Sequence, residues 1–233
     1  MSGPLAGSTA VVTGASRGIG RAIALRLAEA GAEVALWARD QAGLRAVAAE
    51  ITAARGKARG IVVDVTDASA VDHAAGLIRA TMPAVRTVVN NAGVVLRKST
   101  EAITDDEWRR VMAVNLDGTF YVTRSFLPDL EHNAGRVINI ASRSGREGTS
   151  LLAAYCAAKH GVVGLTRALA EELRPGKVTV NAICPGSVDT AMLREGLPQA
   201  RPDMTPDDIA RTAVWLAHGA PQALTGACID VYG

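Results

Sequence analysis

Short runs of β-branched and apolar residues alternate along the chain with longer stretches in which alanine and leucine recur every three or four positions. The short runs at Ser8–Thr13, Val34–Trp37, Ala58–Val63, Thr87–Asn90, Gly135–Ile140, Lys177–Ile183 and Ala227–Val231 predict seven strands. They are apolar on both faces, as strands buried inside a parallel sheet are. The stretches Gly20–Ala30, Ala42–Ala54, Ala68–Arg79, Thr104–Asn115, Gly118–Leu130, Ala153–Leu173 and Thr205–Leu216 predict helices. Strand and helix in strict alternation imply a doubly wound, seven-stranded parallel sheet with helices on both faces. Gly31 should end the first helix, and Arg174-Pro175-Gly176 the long one, since proline cannot continue a helix and glycine accepts a positive φ. Linkers, repeats and low-complexity segments are missing from the pattern, so residues 1–233 read as a single domain.

Composition narrows the function classes. The 25 basic and 23 acidic side chains nearly balance, at a formal net charge of +2, and no basic stripe suggests nucleic acid. The apolar runs are far below membrane-spanning length, and Met-Ser-Gly-Pro-Leu leads into a strand rather than a targeting peptide, so a cytoplasmic protein is expected. Cys156, Cys184 and Cys228 are scattered, as are His73, His132, His160 and His218, and no metal or disulfide framework is expected.

Gly14, Gly18 and Gly20 directly follow the first strand and open a helix. A turn without Cβ atoms lets a pyrophosphate reach backbone N–H groups, and the helix N-terminus favours its charge. This makes the sheet a Rossmann-type dinucleotide fold. An NAD site would carry an acid at the tip of the second strand, but neutral Ala38 and cationic Arg39 stand there. Arg39 and Arg17 suit a 2′-phosphate, so NADP(H) is the expected cofactor.

Tyr155 and Lys159 lie four residues apart on one helix, hence on one face, a proton donor beside a cation. With the glycine turn Thr13–Gly20, Asp64-Val65, Asn90-Asn91-Ala92-Gly93, Asn115, Ser142 and Pro185–Thr190, in this order, the chain resembles the short-chain dehydrogenase/reductase family from about Ala6 to Val231. Its general pattern is similar to the 3-oxoacyl-(acyl-carrier-protein) reductases.

The resemblance implies Asn115, Ser142, Tyr155 and Lys159 as catalytic residues. Tyr155 would give its proton to a carbonyl oxygen as hydride arrives at carbon, Ser142 would hold that oxygen, and Asn115 would hold a water in a relay from Lys159. The Lys159 charge, with that of an oxidised nicotinamide, should favour the phenolate; a lowering of about 2 pKa units corresponds to roughly 2.7 kcal/mol. Implied cofactor contacts are Gly14, Ser16, Arg17, Gly18, Ile19, Gly20, Arg39, Asp64 at the adenine amino group, Val65, and Asn91, Ala92 and Gly93 along the ribose. Tyr155, Lys159, Pro185, Gly186, Val188 and Thr190 complete the set on the nicotinamide side.

Only fifteen residues separate Thr190 from Pro206, with two prolines and little periodicity, so a short irregular lid at about 190–205 and an open cleft are expected. Apolar Val94, Val95, Leu96, Met192, Leu193 and Leu197, together with Ser144–Thr149, should line the substrate side. The implied activity is NADPH-dependent reduction of a ketone or β-ketoacyl carbonyl, with an acyl-carrier protein as a partner that Arg97, Lys98, Arg143 and Arg146 would meet. Alternatives are an NADP-dependent alcohol or sugar dehydrogenase and a non-catalytic nucleotide-binding regulatory protein. Family likeness further implies a homo-oligomer, tetramer before dimer, through the helices starting near Thr104 and Ala153.

Overall fold

The computed structural model describes residues 3–233. Seven parallel strands, β1 (Thr9–Thr13), β2 (Glu33–Ala38), β3 (Lys57–Val62), β4 (Val85–Asn90), β5 (Arg136–Ile140), β6 (Thr179–Pro185) and β7 (Cys228–Val231), form one sheet in the order β3-β2-β1-β4-β5-β6-β7. Helices α1 (Gly18–Glu29), α2 (Gln41–Ala53) and α8 (Pro206–Val214) cover one face. Helices α3 (Ala68–Thr81), α5 (Gly118–His132) and α6 (Ala153–Glu172) cover the other. Both cores follow from the periodicities: α1 buries Ile23, Ala24, Leu27 and Ala28, and α5 buries Val122, Phe126 and Leu130.

Chain order reverses between β1 and β4, where the loops leaving their C-terminal ends diverge and open a crevice. A buried polar chain joins the strands on the β4 side. Asn90 Nδ2 donates to Thr123 Oγ1 at 2.8 Å and to Asn139 Oδ1 at 2.9 Å, and Asn139 Nδ2 donates to Thr166 Oγ1 at 2.9 Å. These bonds link β4, β5, α5 and α6 below the crevice.

Three details depart from the sequence-based expectation. The helices expected at Thr104–Asn115 and Gly118–Leu130 do not break apart: α4 (Asp105–Met112) runs through a π-helical turn, Ala113–Asp117, into α5. Asn115 explains the widening, because its Nδ2 donates to Val111 O at 2.8 Å and thus occupies a carbonyl of the preceding turn. The positive φ after α6 falls on Lys177, at 57°, and not on Gly176. The helix has already ended at Glu172, and the chain turns through Arg174–Lys177, with Lys177 N donating to Arg174 O.

The segment after Thr190 is irregular only in its second half. It holds α7 (Ala191–Gly196), whose N-terminus is capped by Thr190 Oγ1 accepting from Leu193 N at 3.2 Å. A bridge between Val188 and Met204 closes the excursion at its base.

Candidate active site

The crevice is one cleft of about 920 Å³. Its phosphate end is built by the β1–α1 turn. Gly14 has φ +64°, and a Cβ there would lie 2.8 Å from Asn91 Nδ2; a Cβ on Gly20 would lie 2.3 Å from Gly14 O. Glycine at both positions lets the turn close on itself. Helix α1 starts with no side chain capping it, so its first N–H groups remain available to an anion. Gly14, Ser16, Arg17, Gly18 and Ile19 all line this end. Gly20 does not; its part is the close approach beneath.

The Asn91 side chain belongs to the turn. Its Nδ2 donates to Thr13 O at 3.0 Å and to Gly14 O at 3.2 Å, while Thr13 Oγ1 accepts from Asn91 N and Ala92 N. Thr13, which sequence reasoning treated only as the start of the glycine motif, therefore ties the β4 exit to the β1 exit. Ala92 and Gly93 line the cleft beside it.

At the tip of β2, Arg39 and Asp64 face each other across the cleft edge, Nη1 to Oδ2 at 3.6 Å. Asp64 Oδ1 also accepts from Thr66 N at 3.0 Å and Thr66 Oγ1 at 2.8 Å. Burial opposes its ionisation, but the Thr66 bonds and the Arg39 charge outweigh that and hold its carboxyl below the ordinary value. Asp64 is thus already engaged by Thr66 and Arg39, where sequence reasoning placed it at an adenine amino group. Val65 lines the cleft next to it, and Trp37 and Val114, which sequence reasoning missed, complete this wall.

Ser142, Tyr155 and Lys159 stand together on the opposite wall. Ser142 follows β5 and begins a 3₁₀ turn, Arg143–Gly145, with its Oγ accepting from Ser144 N at 3.0 Å. Tyr155 and Lys159 project from one face of α6, the Lys159 ammonium 5.8 Å from the tyrosine ring centroid. Lys159 Nζ donates to Ile140 O at 2.8 Å, which ties α6 to the end of β5. Burial pushes the Tyr155 phenol up to about 12, with the Ser142 hydroxyl opposing it. Burial also pulls Lys159 down to about 8. In the protein by itself desolvation dominates both groups, and the phenol stands above its ordinary value.

Asn115 is fully buried and does not line the cleft. Its amide is spent on backbone: Nδ2 donates to Val94 O and Val111 O, and Oδ1 accepts from Val94 N at 3.3 Å. Gly93 lies between it and Lys159, since a Cβ there would meet Asn115 Oδ1 at 2.8 Å and Lys159 Nζ at 3.8 Å.

On the far side, Pro185, Gly186, Val188 and Thr190 line the cleft after β6. Val94, Val95, Leu96, Ser144, Met192, Leu193 and Leu197 line it as expected, whereas Gly145–Thr149 do not. Helix α7 covers this end: Met192 and Leu197 pack with Val95, Leu152 and Tyr155, and Arg97 Nη1 donates to Gly196 O at 3.3 Å. The four cations expected at the rim do not line the cleft and are engaged by other groups of the chain. Arg97 binds α7, Lys98 pairs with Glu107, Arg143 with Glu147 and Arg146 with Asp230.

A dinucleotide cradle and a Ser–Tyr–Lys cluster facing one cleft define an oxidoreductase acting on alcohol and carbonyl groups. The chain belongs to the short-chain dehydrogenase family, whose sequence model, described as short chain dehydrogenase, matches residues 8–200. It is 36% identical to a 3-oxoacyl-(acyl-carrier-protein) reductase from Pseudomonas aeruginosa, covering 98% of this chain and 97% of the relative. To D-threitol dehydrogenase from Mycolicibacterium smegmatis it is 35% identical, covering 98% of this chain and 93% of that one. A solved structure of actinorhodin polyketide ketoreductase with NADPH superposes at a TM-score of 0.92 and 33% identity, covering 100% of this chain and 98% of the other. No helix among the described residues is long and apolar enough to cross a membrane.

Proposed function

We propose that the protein is an NADPH-dependent reductase that converts a ketone or β-ketoacyl carbonyl to the alcohol, with Tyr155 as general acid. The observation that carries this is the convergence of Ser142, Tyr155 and Lys159 on the same cleft as the glycine turn. The residues fit the cofactor: the uncapped α1 N-terminus behind the tight glycine turn suits a pyrophosphate, and Arg17 and Arg39, with neutral Ala38, suit a 2′-phosphate. The NADPH held by the similar polyketide ketoreductase supports the same choice. When bound, NADPH supplies the hydride that goes to the carbonyl carbon.

The chain's own residues manage the oxygen. Ser142 Oγ donates a hydrogen bond to the carbonyl oxygen and aims it at the phenol. Tyr155 passes its proton to that oxygen as carbon is reduced, and Lys159 restores the proton from its ammonium. A phenol at about 12 is neutral at neutral pH, the state an acid needs. Asn115 acts as a positioning residue, fixing the backbone at Val94 and Val111 behind Lys159. Met192 of α7 and Leu197 just after it give the substrate side an apolar cover over Tyr155.

The likeness to a threitol dehydrogenase favours a second reading, oxidation of a polyol or other alcohol with NADP. It requires the phenolate, which burial disfavours. An acyl-carrier protein finds little support at the rim, where all four candidate cations are engaged. Self-association, as a tetramer before a dimer, is supported on the α4–α5 side by exposed Trp108 and Phe120; a monomer by light scattering overturns it.

The decisive experiment pairs a substrate screen with Tyr155→Phe. NADPH consumption is followed over simple ketones, β-ketoacyl thioesters and keto sugars. The variant should lose on the order of 10³-fold in kcat while NADPH affinity changes little. Retained turnover removes Tyr155 as the acid.

A further inference from the structure

Two cysteines take no part in the proposed carbonyl chemistry, yet the fold brings them together from positions 44 residues apart in the sequence, 184 and 228. In the β6–β7 ladder Ala182 lies opposite Cys228, and Cys184 opposite Asp230. Alternate residues of a strand share a face, so Cys184 and Cys228 stand on the same face of adjacent strands, on a diagonal. The two side chains share one small cluster with Ala141, Val162 and Val163.

The two environments differ. Cys184 is fully buried, whereas Cys228 is partly exposed. Facing the pair are Arg167 from α6, which hydrogen-bonds the Cys228 sulfur, Arg146 from the turn after β5, and Asp230, which holds Arg146 at 3.4 Å. The donated Cys184 hydrogen bond, aided by the two guanidinium charges, lowers the Cys228 thiol against the cost of its burial. The shared hydrogen bond, with burial, pushes Cys184 up. A partly exposed sulfur beside cations, backed by a buried thiol, pairs an attacking sulfur with a resolving one.

We propose that Cys228 and Cys184 form a peroxide-responsive dithiol that closes to a disulfide between β6 and β7. The oxidant is a hydroperoxide, with hydrogen peroxide as the simplest case. The Cys228 sulfur attacks one peroxide oxygen, the O–O bond breaks, and the other oxygen leaves as water, which gives the sulfenic acid. The Cys184 sulfur then attacks the sulfenic sulfur, the S–O bond breaks, and that oxygen leaves as a second water with the Cys184 proton. Two thiols are oxidised by two electrons while one hydrogen peroxide is reduced to two waters.

The test treats the full-length protein with stoichiometric hydrogen peroxide, blocks free thiols with N-ethylmaleimide, and maps the peptides without reduction by mass spectrometry. The expected product is a peptide pair linked through Cys184 and Cys228, two hydrogens lighter than the sum, with Cys156 still free. In Cys184→Ala, Cys228 should stop at the sulfenic acid and be captured by dimedone; in Cys228→Ser, Cys184 should stay unmodified at the same dose. Three outcomes overturn the proposal: Cys156 oxidised ahead of Cys228, Cys228 reaching the sulfinic acid while Cys184 remains a thiol, or no oxidation of either residue. Because the wild-type peptide map decides by itself, failure of a variant to fold does not shelter the idea.

Discussion

Replacing Lys159 with methionine keeps a long unbranched chain on α6 and removes a buried ammonium that no carboxylate offsets. Lys159 falls from its ordinary value of 10.5 to about 8 in the folded chain, chiefly through burial. Below about pH 8 both folded and unfolded chains carry the proton, so the cost of burying the ammonium is fully present. Between about 8 and 10.5 the folded chain holds a neutral amine while the unfolded chain is still protonated, and stability rises with pH. The drop of about 2.5 units, at ~1.36 kcal/mol each, makes the full rise about 3 kcal/mol. Tyr155, pushed up to about 12, works in the opposite direction above pH 10, but it is present in both proteins and cancels in their difference. Urea unfolding of wild type and Lys159→Met at intervals from pH 7 to 10.5 measures that difference directly. Wild type should gain on the variant by about 3 kcal/mol, most of it above pH 8. A difference that stays flat across this range refutes the claim that burial, rather than a compensating charge, sets the state of Lys159.

Arg39→Ala should weaken NADPH binding by about tenfold or more while leaving NADH nearly unchanged, as one charge-assisted contact to a phosphate is worth about 1.5 to 3 kcal/mol; equal losses for both cofactors, read by fluorescence titration, would remove Arg39 from the 2′-phosphate site. Gly20→Ala puts a methyl 2.3 Å from Gly14 O, and calorimetry should find no NADPH binding even where circular dichroism shows a folded chain. Asn139→Ala strips Asn90 and Thr166 of their shared partner inside the sheet, and chemical denaturation should show a loss of about 2 to 3 kcal/mol. A loss below about 0.5 kcal/mol would mean that the buried chain is not under tension from its neighbours' needs.

Much of this was legible in the sequence for identifiable reasons. Strand and helix periods do not overlap, so all seven strands and the main helices could be placed within a few residues. Tyr155 and Lys159 were found together because helical spacing is a local rule. What stayed hidden depends on contacts far along the chain. The π turn at Ala113–Asp117 exists because the Asn115 amide reaches Val94, 21 residues away, as well as Val111. Asn91, expected along the ribose, lines the cleft and also bonds a turn 77 and 78 residues upstream, which no local pattern shows. Desolvation of Tyr155 and Lys159 is a property of the assembled core, invisible in a motif of five residues. The Cys184–Cys228 contact required the register of β7 against β6, which no local pattern encodes. Leu151, with φ +65°, gave no sign at all, for leucine rarely adopts that conformation.

The buried amides of Asn90 and Asn139 have a consequence for how the cleft keeps its dimensions. They sit opposite each other in the β4–β5 ladder, and their bond forms in a single alignment of the two strands. Sliding either strand by one residue would turn an amide to the opposite face and strand its partners in an apolar interior. Strand β4 delivers the loop that begins at Asn91, and β5 delivers Ser142. The span between the cofactor cradle and the carbonyl-holding hydroxyl is therefore indexed by a side-chain lock under the floor of the cleft. Loop sequences above it can drift widely between substrates without moving the two halves of the reaction apart.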